Sequence, residues 1–504
     1  MLLSVTSLAG ARGCGRLGAP SRAWLQTLRS AGCTLWQILP LTPPLFGESP
    51  YMSASAFALH AALIDEEDLL RDGLACPTRC ASLSQPEEGW DPAGVRRRMV
   101  ALATDPGAGT RSEGLDAFRE AQSTWLEDYA LFVALKEQHD GRPWWEWPAA
   151  LRDRDPQTLE SARRTLAERI SAEVRIQWWA HEQACALRSA AREEGITLFG
   201  DMPLFVAHDS ADVWAQRALF RVAPDGSLPV VAGVPPDAFS EEGQRWGNPH
   251  YAWSRHEADG FAWWRARVER QLTYCDALRI DHFRGLVAVW EVPGGDESAA
   301  LGRWVETPGD ALLSALRVAF PEALLVAEDL GVITEEVNAL REAHALPGMH
   351  VLQFAFGGAA SNPHLPHHHR PEGVVYTGTH DNDTLAGWCE TLDPRAADHA
   401  RAYLGVDALS APCLVRTALA SVATWAILPV QDLLPAGSAQ RLNHPGSAEG
   451  NWSWRMSPEG LAPAVTERLA HWTSLYGRSG TALASPEGSA AVADEGLALV
   501  TTTA

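Results

Sequence analysis

Three acidic residues stand at the ends of short apolar runs, and their types suit nucleophilic and acid–base work on one substrate. Arg279-Ile280-Asp281-His282-Phe283-Arg284-Gly285 closes one run, Val326-Ala327-Glu328-Asp329-Leu330-Gly331 the next, and Asp381 follows Thr377-Gly378-Thr379-His380. Alternate side chains of a strand share a face, so Arg279 and Asp281 should point the same way. A guanidinium beside a carboxylate keeps it ionised through charge-assisted hydrogen bonds, the state that a carboxylate nucleophile needs. If the runs ending in Asp281 and Glu328 are neighbours, an Asp and a Glu face each other across one mouth. That pair is equipped for glycosyl transfer: the ionised carboxylate attacks the anomeric carbon and the protonated one gives its proton to the leaving oxygen. Like charge from Asp281 and Asp381 should push the pKa of Glu328 upward, towards the working pH. A single acid at a strand end can equally cap a helix or accept main-chain amides. Three of them, with Arg279 and His380 alongside, favour chemistry.

The elements that must position these residues follow from the apolar pattern. The runs Leu35–Leu41, Leu198–Phe205, Ala277–Phe283, Leu324–Leu330, His350–Phe354 and Val374–Thr379 read as strands buried on both faces. Between them lie helical segments such as Leu159–Arg192, Ala311–Phe320 and Glu335–Ala343. This alternation, with polar residues at the C-terminal ends of the strands, predicts an α/β chain folded as a (β/α)8 TIM barrel whose site lies on that face. A barrel takes about 250 residues. The remainder should be helical and loop insertions, at about 66–180 and about 207–262, standing over the mouth, within one catalytic barrel spanning 1–478. From Ser479 onward, Ala, Gly, Ser and Thr without periodicity predict a mobile tail. The first 47 residues contain arginines and no acid, a composition shared with targeting peptides. Leu2–Val5 nevertheless reads as a strand and Ala23–Leu28 as a helix, so the segment belongs to the fold.

Composition narrows the partners. With 504 residues, 46% of them hydrophobic, the chain can bury a large core. Acidic residues outnumber basic ones 63 to 41, a net charge of −22, which argues against a nucleic-acid partner. No stretch reaches the roughly 18 to 20 apolar residues of a spanning helix, so no membrane partner is expected. Eight scattered cysteines without zinc-ligand spacing suit a reduced cytoplasm, with no metal or other cofactor. His364, His367, His368 and His369 are clustered, yet they lie in what reads as an ordinary loop. The 21 tryptophans offer flat apolar faces with one donor each, which suit sugar rings, although most should serve packing.

These residues carry a resemblance to the amylomaltases, the 4-α-glucanotransferases or disproportionating enzymes, from about residue 2 to about residue 478. Trp36-Gln37-Ile38-Leu39-Pro40-Leu41, then Gly47-Glu48-Ser49-Pro50-Tyr51 and Ser55-Ala56-Phe57, resemble the family's first signature. Gly200-Asp201-Met202-Pro203-Leu204-Phe205 with Asp209-Ser210-Ala211-Asp212-Val213-Trp214 is similar to its second. Ala232-Gly233-Val234-Pro235-Pro236-Asp237 and Gly243-Gln244-Arg245-Trp246-Gly247-Asn248-Pro249 look like the loop that folds over the substrate. Late in the chain, Gln431-Asp432-Leu433 and Gly450-Asn451-Trp452-Ser453-Trp454-Arg455 complete the series.

The resemblance implies a retaining mechanism on α-1,4-glucans and maltooligosaccharides. Asp281 would be the nucleophile, Glu328 the acid and then the base, and Asp381 the acid that distorts and stabilises the sugar. Arg279 and His380 would position Asp281 and grip the same ring. Ser49, Pro50, Tyr51, Asp237, Trp246 and Asn248 would line the glucan groove, with Asp201 nearby. No obligate protein partner is implied. Two departures bear on the rim. Ala238 stands where the family commonly has a tyrosine, and Gly15-Arg16-Leu17-Gly18 replaces a usual Gly-Asp-Leu-Gly after a shortened loop. Two other readings of the residues are open: an α-glucan hydrolase using the same carboxylates, and a binding protein on an inactive barrel. The intact trio of acids opposes the second.

Overall fold

The computed structural model describes residues 1–10, 15–45, 48–83, 91–105, 112–236, 242–296, 298–447 and 449–480. The strands among them are β1 (Leu35–Gln37), β2 (Thr197–Met202), β3 (Val230–Val234), β4 (Gln244–Arg245), β5 (Ala277–Ile280), β6 (Ala288–Pro293), β7 (Arg303–Glu306), β8 (Leu324–Ala327), β9 (Met349–Val351), β10 (Val374–Tyr376) and β11 (Trp425–Ile427). β1, β2, β5 and β8 form one parallel sheet in that order, and β11, β10 and β9 form a second. Leu2 makes parallel bridges to both Gln37 and Pro429, at one edge of each sheet. At the opposite edges the Ala327 amide donates to the Pro347 carbonyl at 2.9 Å.

Burial explains the short strands. All four residues of β5 are buried, as are all three of β10, which is the pattern of strands covered on both faces. Leu2, Phe199, Ala277, Val326, Met349, Val351, Val374, Tyr376 and Ile427, drawn from both sheets, pack as one cluster. Burying each of its larger side chains is worth about 1.5–3 kcal/mol. Among the described residues no helix is long and apolar enough to cross a membrane.

Each expected parallel strand is present but stops three or four residues before the apolar run does. There the chain leaves the ladder to present its polar residue. The segment from Leu2 to Val5 is not a strand: Leu2 alone contributes bridges, one to each sheet, and Val5–Ser7 is a 3-10 turn. The helix expected over Leu159–Arg192 is two, Pro156–Thr165 and Ala167–Glu193. The second buries Glu173 completely, and that carboxylate is held by Arg96 at 2.9 Å and Arg169 at 3.0 Å, the pairing that a buried charge requires.

Two features were not anticipated. β11 is one. The other is an antiparallel sheet in the order β4-β3-β6-β7, built partly from a region that reads as turns. The hydroxyl of Thr307, just past β7, donates to the Gly285 carbonyl at 2.9 Å, tying this sheet to the loop after β5. A strap made by residues 40–45 and 48–57 is anchored where Ala211 N–H donates to Ala54 O at 2.9 Å and Ala56 N–H to Asp212 Oδ2 at 2.8 Å.

Candidate active site

Register sets the first contacts. Asp201 at the end of β2 is the ladder partner of Arg279 on β5, and Ile280 is the partner of Ala327 on β8. The acids that follow, Asp281 and Glu328, therefore leave adjacent strands at the same level. Arg279 is almost fully buried, and its Nη1 donates to both oxygens of Asp201, at 2.8 and 2.9 Å, and to Asp281 Oδ1 at 2.9 Å. The Tyr51 hydroxyl, carried on the strap, donates to Asp201 Oδ2 at 2.9 Å. Burial and the nearby Asp201 hold the Tyr51 pKa well above its ordinary value, so it remains a donor. Burial works against the charge of Arg279, but Asp201 and Asp281 outweigh it and keep the guanidinium protonated.

His282 provides the link to Glu328. Its φ is 52°, in the left-handed region that costs a non-glycine residue about 1–2 kcal/mol. That turn aims its N–H at Glu328 Oε2, 2.8 Å away, while the Leu330 N–H donates to Oε1 at 3.0 Å. Glu328 is held from both sides, and its pKa is pushed up to about 8. Burial is the largest cause; Arg279 opposes it, the Asp281 charge adds to it, and the two N–H donors oppose it. The expected direction is present, but desolvation is the main cause and the like charge that adds to it is that of Asp281, behind the opposing charge of Arg279. The His282 imidazole, lowered to about 4 chiefly by burial, is neutral.

Asp381 stands on the other side. Asn443 Nδ2 donates to its Oδ1 at 2.6 Å, His380 Nε2 lies 3.3 Å from its Oδ2, and Arg441 Nη2 donates to its main-chain carbonyl at 2.8 Å. Its side chain is 43% exposed and that of Asp281 is 29% exposed, so both open to solvent, whereas Arg279 beneath them is sealed at 4%. The His380 ring stacks on Tyr51 at 5.1 Å, and Trp452 approaches both rings, at 5.9 and 5.7 Å.

The other sequence-derived candidates divide. Ser49 and Pro50 are half-buried on the strap beside Tyr51. Trp246 is half-buried and meets the His282 ring edge-on at 4.9 Å, next to Asp281. Asn248 is buried, with its amide donating to the Val206 carbonyl at 2.8 Å, so it ties the loop down from beneath. Asp201 is likewise sealed and acts on Arg279 and Tyr51. Asp237 and Ala238 lie outside the described residues. Asn443 and Arg441 escaped sequence reading, because a loop asparagine and arginine some 60 positions from Asp381 leave no periodic signal. Trp452 was seen only as part of a motif.

The histidine cluster makes ordinary bonds. His369 meets Ser421 Oγ at 2.7 Å and the His364 carbonyl at 3.0 Å, His367 meets the Tyr403 hydroxyl at 2.7 Å, and His368 the Ala360 carbonyl at 2.8 Å. Among the described residues no group of three His, Cys, Asp or Glu side chains is arranged to hold a metal ion.

Residues 3–461 match the family model described as 4-alpha-glucanotransferase. A 4-alpha-glucanotransferase of Thermus thermophilus is 44% identical, over 93% of this chain and 96% of that one. A chloroplastic/amyloplastic 4-alpha-glucanotransferase of Arabidopsis thaliana is 40% identical, over 95% of this chain and 85% of that one. Among solved structures, amylomaltase from Streptococcus agalactiae in complex with acarbose superposes with a TM-score of 0.89 at 32% identity, covering 95% of this chain and 99% of that one.

Proposed function

The chain belongs to the 4-alpha-glucanotransferase family and is a retaining, glucan-transferring enzyme; from that premise we propose that Asp281 is its nucleophile, Glu328 its acid and then its base, and Asp381 the acid that grips and distorts the sugar. One juxtaposition supports this most: Asp281 is paired with Arg279, while Glu328, leaving the adjacent strand, keeps its proton to about pH 8. Arg279 engages Oδ1 of Asp281, so attack on C1 of the donor glucose runs through Oδ2. Asp201 shares the same guanidinium nitrogen and offsets part of its charge, which leaves electron density on Asp281. As the C1–Oδ2 bond forms, the glycosidic bond breaks and the Glu328 proton passes to the departing oxygen. In the second step the acceptor 4-hydroxyl gives its proton to ionised Glu328, its oxygen bonds to C1, and Asp281 leaves. Trp452, buried against Leu39 and Leu442, backs Tyr51 and His380, which hold the rim beside the ring, and Asp381 accepts from its hydroxyls. Ser49, Pro50 and Trp246 extend the groove, with α-1,4-glucans and maltooligosaccharides as donors and acceptors, and Asp237 is assigned to glucan binding by its motif alone.

The two parallel sheets make up one (β/α)8 barrel in this reading, with Leu2 closing one seam and the Ala327–Pro347 hydrogen bond the other, around the shared apolar cluster. The catalytic unit spans 1–478, and its insertions, at about 66–180 and about 207–262, stand over the mouth. Residues 481–504 of the expected tail lie outside the described residues. The free state of all the described cysteines suits the cytoplasm as the working compartment.

Incubation with maltotriose tests the function. A ladder of longer and shorter maltooligosaccharides with glucose is expected; glucose and maltose alone, from hydrolysis, would overturn transfer as the main activity. The pKa of Glu328 predicts an alkaline limb: kcat/KM on maltotriose should fall as pH rises through about 8, because the free enzyme then loses the proton it must donate. The fold also holds that proton where the unfolded chain has released it, so this group's contribution to stability declines as pH rises from the ordinary carboxylate range towards 8. The stability of Glu328→Gln relative to the parent should therefore increase between about pH 5 and about pH 9, read from parallel melting curves. For Asn443→Ala, which leaves Asp381 free to turn away from the sugar, kcat/KM on maltotriose should fall by about tenfold to a hundredfold, with melting lowered by no more than the loss of one hydrogen bond to a charged group, about 1.5–3 kcal/mol. Unaltered kinetics would take Asn443 out of the site.

A further inference from the structure

The motif Gln431-Asp432-Leu433 has no part in the reaction above. Asp432 is buried on the short turn Val430–Leu433 that follows β11. Its Oδ2 accepts from the Thr377 hydroxyl at 2.5 Å and its Oδ1 from the Leu385 N–H at 2.8 Å. Thr377 is the first residue past β10, and Leu385 opens helix Leu385–Thr391. One carboxylate thus joins the two stems of loop 378–384, which carries His380 and Asp381.

Inside that loop the residues bond to one another. Asn382 Oδ1 accepts from the Thr379 N–H at 2.8 Å and from the Thr379 hydroxyl at 2.9 Å, and the Asp381 N–H donates to the Thr379 hydroxyl oxygen at 3.2 Å. The loop is therefore a small bonded unit whose aim is set by its stems. The chain after β11 grips it twice, with Asp432 at the base and with Asn443 and Arg441 at Asp381 itself. Burial pushes the Asp432 pKa up to about 7 against the pull of both donors, and the Asp383 charge adds to the rise. Packing alone gives no reason to keep a carboxylate in so unfavourable a place, whereas its two bonds to the loop do. We propose that Asp432 is a positioning residue for the transfer reaction: by clamping both stems of loop 378–384 it holds the Asp381 carboxylate and the His380 ring against the donor sugar. The proposal rests on the role given to Asp381 above.

Substitutions separate this role from a merely structural one. Asp432→Ala should shift loop 378–384 and lower kcat/KM on maltotriose by about tenfold to a hundredfold, the range that a displacement of about 1 Å brings. Gln353 Nε2 still donates to the Asp383 carbonyl and the Ser438 hydroxyl to Asp383 Oδ2, each at 2.7 Å, so the loop is loosened and not released. The loss should be as large on a glucosyl fluoride, because the sugar must be gripped whatever its leaving group, and this sets it apart from Glu328→Gln. Asp432→Asn keeps an acceptor for Leu385 and turns a donor towards the Thr377 oxygen, so it should recover most of the loss. In a double-mutant cycle read on the fluoride, adding Asp432→Ala to Asp381→Asn should bring no further fall. If Asp432→Ala fails to fold, Thr377→Val, which removes one of the two bonds, takes its place in the cycle. With Asp381→Asn itself impaired, parent-like kinetics, a full additional loss in the cycle, or Asp432→Asn as impaired as Asp432→Ala would overturn the proposal. A crystal structure of Asp432→Ala with the loop in its parent place would overturn it as well. A displaced loop beside a parent-like Asp381→Asn enzyme would count against the role of Asp381 and leave the clamp standing.

Discussion

Replacing Asp281 with Asn is expected to leave the fold intact and to lower transfer from maltotriose by at least about a thousandfold, since loss of a covalent nucleophile is among the largest single effects known in enzymes. The fold should survive because the amide keeps an acceptor oxygen for Arg279 Nη1, and Arg279 retains both contacts to buried Asp201. Turnover is lost because a neutral amide cannot form and release the glycosyl ester. Circular dichroism melting alongside product analysis separates the two effects. Activity within about tenfold of the parent, with an unchanged melt, would remove Asp281 from the role.

Glu328→Gln should be as damaging on maltotriose and far less so on an activated donor. The proton that Glu328 retains to about pH 8 is what the departing sugar oxygen requires, and glutamine has none to give at that position. A glucosyl fluoride leaves without protonation, so the first step should recover. The second step should remain slow, because no base accepts the proton of the incoming hydroxyl, and the glycosyl-enzyme should accumulate. A burst of fluoride followed by slow turnover is the expected trace. Equal impairment on both donors would contradict the assignment and make Asp381 the next acid to examine.

The three acids proposed as catalytic could be picked out of the sequence because strand geometry makes the reading local. Arg279 and Asp281 are two positions apart on one strand, and their 2.9 Å contact is the consequence. The strand runs were also legible, since a strand buried on both faces must be apolar throughout. Their ends were not, because Asp281 and Glu328 are placed by leaving the ladder, and the left-handed turn at His282 that joins them has no signature in a histidine. Contacts between distant segments stayed hidden: Asn443 and Arg441 reach Asp381, and Tyr51 reaches Asp201, only once the fold brings their loops together. β11 was missed because its apolar run, Trp425 to Leu428 between Thr424 and Pro429, ends on no polar residue of the kind that marked the strands before Asp281 and Glu328. Asn248 and Asp201 belong to motifs that point to the site, yet burial turns both inward as supports, a distinction that motif spacing does not carry.

If sugar is transferred through a covalent bond to Asp281, that bond can be trapped. Glu328→Gln protein incubated briefly with a maltosyl fluoride, quenched in acid, digested and analysed by mass spectrometry should yield the peptide containing Asp281 heavier by one maltosyl group. An acceptor sugar added before the quench should discharge the label slowly into a product of retained anomeric configuration. A label on Asp381 or on any other residue, or a product of inverted configuration with no labelled peptide, would contradict the account.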